Sequence, residues 1–127
     1  MARSSVIVAT LAVLCAPPAL AAEMPDLVGT WTGVGPAVSV SDGWQTDRPA
    51  TLVITEQQGA VFKGQYMWPN DEEPTVGVIR QDGKTILTSG TLGSNLHMLT
   101  GPDEMEACYI EGGDDAIAVC RILKRTK

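Results

Sequence analysis

Beyond Thr30 no stretch of this chain keeps its apolar residues at helical spacing for three turns, and that alone removes most architectures from consideration. The chain breaks instead into short runs rich in β-formers, at residues 29–34, 50–56, 60–68, 75–80, 85–89, 95–100, 105–111 and 116–123. Between them stand turn formers: Gln58 with Gly59, the acidic PNDEEP segment, Asp82 with Gly83, Gly93 with Ser94, and Gly101, Pro102 and Asp103. Runs joined this tightly pair with their sequence neighbours, so they predict an antiparallel meander. A meander must cover or abolish its edges, and eight strands is the number that closes into a small barrel. The predicted fold class is therefore all-β, an eight-stranded antiparallel up-and-down barrel. Alternation supports closure, because Trp31 shares a face with Gly29 and Gly33, and Phe62, Tyr66 and Trp68 share one with Gly64. Large residues set among glycines suit a tapered interior. An open sandwich of the same strands is the competing arrangement, and strand spacing alone does not separate the two.

The first 22 residues are of a different kind. Arg3, an apolar run from Val6 to Leu14, and small residues at Ala19 and Ala21 make the pattern of a secretory signal, with cleavage expected after Ala21 or Ala22. The run is shorter than the roughly 20 residues a membrane span needs, and Pro17 and Pro18 break it. Leu14 stands before Cys15 where a lipoprotein signal wants a small residue, which argues against lipidation. The expected organisation is a signal at 1–22 and one domain at 23–127, exported to the periplasm or secreted, monomeric, with no transmembrane segment once the signal is removed. Eight basic residues then face fifteen acidic ones, a net charge of −7. An acidic surface repels phosphate backbones, so nucleic acid is not an expected partner.

Loss of the signal also removes Cys15 and leaves Cys108 and Cys120, which in an oxidising compartment predict a disulfide. In ACYIEGGDDAIAVCR, setting Cys108 opposite Cys120 also sets Ile110 opposite Ala118 and Gly112 opposite Ala116, with Gly113, Asp114 and Asp115 as the turn. The spacing is not the CxxC of a redox pair, so the bond is read as structural.

The stretch 35–49, GPAVSVSDGWQTDRP, interrupts the meander's rhythm and predicts a long connection carrying Trp44. Such a segment is either a lid over one barrel end or a solvated excursion. His97 is the only histidine and reads as a surface or barrel-wall residue, since one imidazole builds no zinc site and the cysteines consume each other. No GxSxG nucleophile elbow occurs, and the acidic clusters at 71–73, 103–106 and 114–115 read as solvated turns. No catalytic residue, metal site or cofactor is expected.

The segment LVGTWTG at 27–33, followed by GAVFKGQY at 59–66, resembles the barrel superfamily that includes the lipocalins and avidins. In lipocalin-like barrels the Gly and Trp of GxW open the first strand, here Gly29 and Trp31, and an arginine of the last strand packs over the ring. The resemblance implies Arg121 for that role, making Trp31 and Arg121 structural partners at the closure seam. Tyr66 matches the tyrosine of the avidin GxY hairpin, but Trp68 replaces the serine two residues on, and no tryptophan follows it, so biotin is not implied. GVIRQDGKTI at 77–86 and EMEACYIEGGDD through Cys120 and Arg121 are similar to small exported bacterial proteins of unassigned function. Phe62 is read as core. Tyr66 and Trp68 are either core or the wall of a site, and with Trp44 they form the expected ligand-contacting set. Two functions are open: binding a small apolar or amphipathic molecule, or serving as a periplasmic protein-binding module such as an inhibitor of a secreted hydrolase.

Overall fold

The alternation along the sequence is realised as eight strands that close on themselves in a computed structural model describing residues 23–126. The expected signal, with its cleavage site and Cys15, lies outside the described residues. The strands are β1 (Gly29–Ser39), β2 (Gly43–Gln58), β3 (Val61–Trp68), β4 (Asp71–Ile79), β5 (Thr85–Ser89), β6 (Ser94–Gly101), β7 (Glu104–Glu111) and β8 (Ile117–Thr126). Each pairs antiparallel with the next, and β8 returns to β1. This is the up-and-down barrel, and the sandwich is excluded because every strand has a paired neighbour on both sides.

Residue parity decides what each strand buries. On β7, Met105, Ala107 and Tyr109 face inward while Glu106 and Ile110 face out; on β8, Val119, Arg121 and Leu123 face inward between Cys120, Ile122 and Lys124. Cys108 and Cys120 are directly opposed and bonded, with Cα atoms 4.0 Å apart, on the outer wall. Closing so short a loop stabilises the fold by about 3 kcal/mol in the chain-entropy account. Ile110 opposes Ala118 as the register predicts, but pairing ends at Glu111 and Ile117, so Gly112 and Ala116 belong to the connection.

The stretch 35–49 is not a long loop. It extends β1 and β2 into one hairpin whose turn spans residues 40–42. Its polar composition suggested a connection because the hairpin protrudes past the core, where alternate positions need no apolar side chain. Pro36 sits where the β1–β8 ladder is interrupted, and opposite it Thr46 and Asp47 bulge from β2. Pro49 falls where β2 pairs with β1 but not yet with β3, whose first partner is Thr51.

One end of the barrel is sealed. Leu27 caps an interior of Trp31, Ile54, Phe62, Ile79, Ile86, Met105 and Leu123, and the Trp31 indole Nε1 donates to the Leu27 carbonyl at 2.9 Å. The cation over the Trp31 ring is Arg125, with Cζ 4.4 Å from the centroid. Arg121, assigned that place by the lipocalin resemblance, lies two inward positions deeper inside the barrel, beyond Leu123. Register decides this, because β8 pairs Arg125, not Arg121, with Trp31.

Candidate ligand site at the barrel mouth

The opposite end carries the turns after β1, β3, β5 and β7, and here the interior does not close. A cavity of about 200 Å³ opens among Trp68, Tyr109, Val119, Ile117 and Leu92, with Arg48, Asp71 and Glu111 around it. Most of the lining comes from the mouth ends of β3, β4, β7 and β8, with Leu92 from the β5–β6 turn and Arg48 from β2. Aromatic rings run from this mouth into the barrel: Tyr109 to Trp68 at 5.7 Å between centroids, Trp68 to Tyr66 at 5.4 Å, and Tyr66 to His97 at 6.4 Å.

The connection that leans over the mouth is not 35–49 but residues 90–93, between β5 and β6. Glu73 is buried beneath it and accepts hydrogen bonds from the Thr91 hydroxyl and the Leu92 amide, both at 2.9 Å. Gly90 and Gly93 allow the close approach: a Cβ at Gly90 would strike the Glu73 carboxylate, and one at Gly93 would strike the Tyr109 hydroxyl. Of the acidic cluster at 71–73, expected to be solvated, Glu73 is thus a buried tether. Tyr109 in turn donates to Glu111 at 2.7 Å, and its phenol is pushed up by burial first and then by that carboxylate.

Beneath the mouth lies a polar layer. Arg121 follows Val119 inward on β8, Tyr66 follows Trp68 on β3, and His97 and Thr88 come from β6 and β5. Arg121 is 3% exposed and His97 fully buried. The His97 Nε2 and the Thr88 hydroxyl are 3.1 Å apart, whereas His97 Nδ1, the Tyr66 hydroxyl and all three Arg121 nitrogens make no hydrogen bond of good geometry among the described residues, although Tyr66 and Arg121 lie close enough to interact. Burial, helped by the nearby Arg121 charge, lowers the imidazole to about 4, so His97 is neutral at pH 7. Burial also raises the Tyr66 phenol, with Arg121 opposing the rise, so Tyr66 is neutral too. Burial lowers Arg121 itself from its ordinary value, but a guanidinium stays charged under any physiological condition. Among the described residues no carboxylate forms an ion pair with it. An uncompensated buried charge of this kind costs several kcal/mol. Gly35 makes room for it, since a Cβ there would run into the Arg121 stem and the Cys120 carbonyl.

Of the ligand-contacting set expected from sequence, Trp68 lines the mouth, and Tyr66 sits directly below it in the polar layer. Trp44, 89% exposed on the protruding hairpin, does not line this cavity but borders an adjoining shallow groove that shares Trp68, Arg48 and Asp71 with it. Sequence reasoning missed Tyr109, Arg48, Glu111 and the buried role of Arg121 and His97. The signal was present in the disulfide, because once Cys108 and Cys120 are placed outside, parity turns Tyr109 and Arg121 inward. Among the described residues no cluster of three metal-ligating side chains occurs, and no helix is long and apolar enough to cross a membrane.

Fold and mouth together define a small closed antiparallel β-barrel open at one end. No protein-family model matches the chain, and no curated protein does. Among solved structures, a redesigned β-barrel superposes with a TM-score of 0.53 at 11% identity, over 80% of this chain and 92% of that one. At that identity the likeness concerns the fold alone.

Proposed function

We propose that this protein is an exported binding barrel for a small amphipathic molecule held at the mouth between Trp68, Tyr109, Val119 and Leu92. The observation that carries the reading is a cavity with aromatic and aliphatic walls, a charged rim at Arg48 and Glu111, and a tethered connection above it. Ligand pockets combine an apolar lining with a few placed polar groups in this way. The size limits the ligand, because about 200 Å³ is below the usual range for drug-sized molecules and holds roughly six or seven water volumes at about 30 Å³ each. A ligand held wholly within this cavity is therefore smaller than a long-chain lipid. The resemblance of LVGTWTG to lipocalin- and avidin-type barrels agrees with a carrier role. Trp68 emission titrated with hexanol and indole should respond, and Trp68→Ala should weaken binding at least tenfold. Native mass spectrometry of protein taken from its own host should show a small bound mass; no bound mass together with a flat titration would end the proposal.

A second reading, a protein-binding module, is favoured by one observation. Residues 43–50 of β2 pair with β1 but lack a β3 neighbour, leaving a strand edge beside the exposed Trp44. An edge of this kind accepts an added strand, although the Thr46–Asp47 bulge and Pro49 blunt it. A partner captured by the wild type and lost on Trp44→Ala would support this reading over the first.

A further inference from the structure

We infer that the molecule held at the mouth is a small organic monocarboxylate, and that Arg121 takes its carboxylate group through the cavity floor. The inference rests on the mouth being a ligand site and specifies what enters it.

Val119 and Trp68 line the cavity, and the next inward residues on the same two strands are Arg121 and Tyr66. Two residues along a strand span about 7 Å, less than the reach of an extended arginine. The polar layer therefore begins where the cavity ends. Arg121 presents a planar fork of donors with no anionic partner among the described residues, and the Tyr66 hydroxyl beside it, whose oxygen interacts with the guanidinium, still has its O–H to donate. His97 adds Nδ1, because the Thr88 hydroxyl satisfies Nε2 in either tautomer and leaves Nδ1 free to carry the proton. A guanidinium fork matches a carboxylate in two parallel hydrogen bonds, and a neutral phenol and imidazole donate to it without adding charge.

The competing anions inside the barrel are otherwise engaged. Glu73 accepts from Thr91 and Leu92, and Glu111 accepts from Tyr109. These carboxylates at the mouth also oppose a dianion, so a single uncompensated cation below them selects a single negative charge. Arg48 lies at the rim beside Asp71 and Glu111 and is close enough to Arg121 for the two positive charges to repel. Trp68, Val119, Ile117 and Leu92 give the wall above an apolar side, set against the charged Arg48, Asp71 and Glu111, so the remainder of the ligand is a short hydrocarbon or a single ring lying on the apolar side.

Titration calorimetry of the purified protein with hexanoate, benzoate, hexanol and benzyl alcohol at fixed ionic strength tests the inference. Each carboxylate should bind at least tenfold tighter than its alcohol. Arg121→Gln should bring that ratio close to one while changing alcohol affinity less than threefold, and Arg121→Lys, which keeps charge without the fork, should retain a reduced preference. Inorganic phosphate at the same concentration should not compete. Equal affinity of acid and alcohol for the wild type would overturn the inference while leaving the mouth a ligand site. Preference retained in Arg121→Gln but lost in Arg48→Gln would move recognition to the rim, and also overturn it. Competition by phosphate would replace the carboxylate site with a general anion site. Binding of neither acid nor alcohol would remove the ligand site itself and the inference with it. Should Arg121→Gln not fold, the Arg121→Lys ratio decides: an undiminished preference overturns the inference.

Discussion

Two arginines four residues apart on β8 show how the two ends of this barrel differ. Arg125, at the sealed end, stacks over Trp31, donates to the carbonyls of Asp26, Val28 and Pro102, and pairs with Asp103 at 3.2 Å. It fastens the N-terminal segment and the β6–β7 turn to one indole. Arg121, toward the mouth, is more deeply buried and makes no hydrogen bond of good geometry among the described residues. The first arginine is consumed by the fold; the second is a cost that the fold carries. Charges kept in that condition concentrate where a ligand supplies the missing partner.

The largest expected effect tests the sealed end. Trp31→Ala leaves a cavity under Leu27 and should destabilise the protein by about 3–5 kcal/mol, read as a drop in the urea midpoint at unchanged slope. A loss below about 1 kcal/mol would mean that the sealed end does not hold the barrel. Next in size is the pH response of the polar layer. His97 is held down to about 4 in the folded protein against 6.5 unfolded, so the unfolded chain takes up the proton first. Its contribution is fully present above pH 6.5, declines as pH falls and is gone by about pH 4, amounting to roughly 3 kcal/mol. Carboxylates titrate in the lower part of that window, so the comparison belongs between pH 6.5 and 5. There His97→Asn should flatten the stability profile, and a profile identical to wild type would place the imidazole in water.

The arginines themselves should respond with opposite signs. Arg125→Met loses the cation over the indole and the carbonyl hydrogen bonds, and should cost about 1–3 kcal/mol. Arg121→Met replaces an unpaired buried charge with an apolar chain and should leave stability unchanged or raise it by about 1–4 kcal/mol. Thermal melts of both variants side by side give the sign directly, and equal destabilisation would erase the distinction between the two ends. Smallest is Trp44→Ala, which should shift stability by less than about 0.5 kcal/mol because the ring is almost wholly exposed. A larger loss would show that the hairpin packs against the mouth.

Much of the barrel was legible because its signals are local. Turn residues mark strand ends, the period of two marks faces, and the Cys108–Cys120 pairing carries a register with it. Where local signals weaken, the sequence misled. GPAVSVSDGWQTDRP has two prolines and few apolar residues, yet it forms a hairpin, since pairing with β1 and β8 supplies the hydrogen bonds that composition does not advertise. The site was legible only in part. Tyr66 and Trp68 stood out as aromatics in a barrel strand, but Glu73, Tyr109, His97 and Arg121 read as ordinary turn, strand and wall residues.

From the sequence by itself come the strand count, the order of pairing, the disulfide and the parity that turns large side chains inward, because each depends on neighbours a few residues away. Only the closed tertiary structure decided which arginine covers Trp31, which turns meet at the mouth, and that a guanidinium, a phenol and an imidazole from three strands share one buried layer. Closure sets those relations, since strand tilt and stagger around the barrel determine which inward positions stand at the same depth, and no pair of adjacent residues records that number.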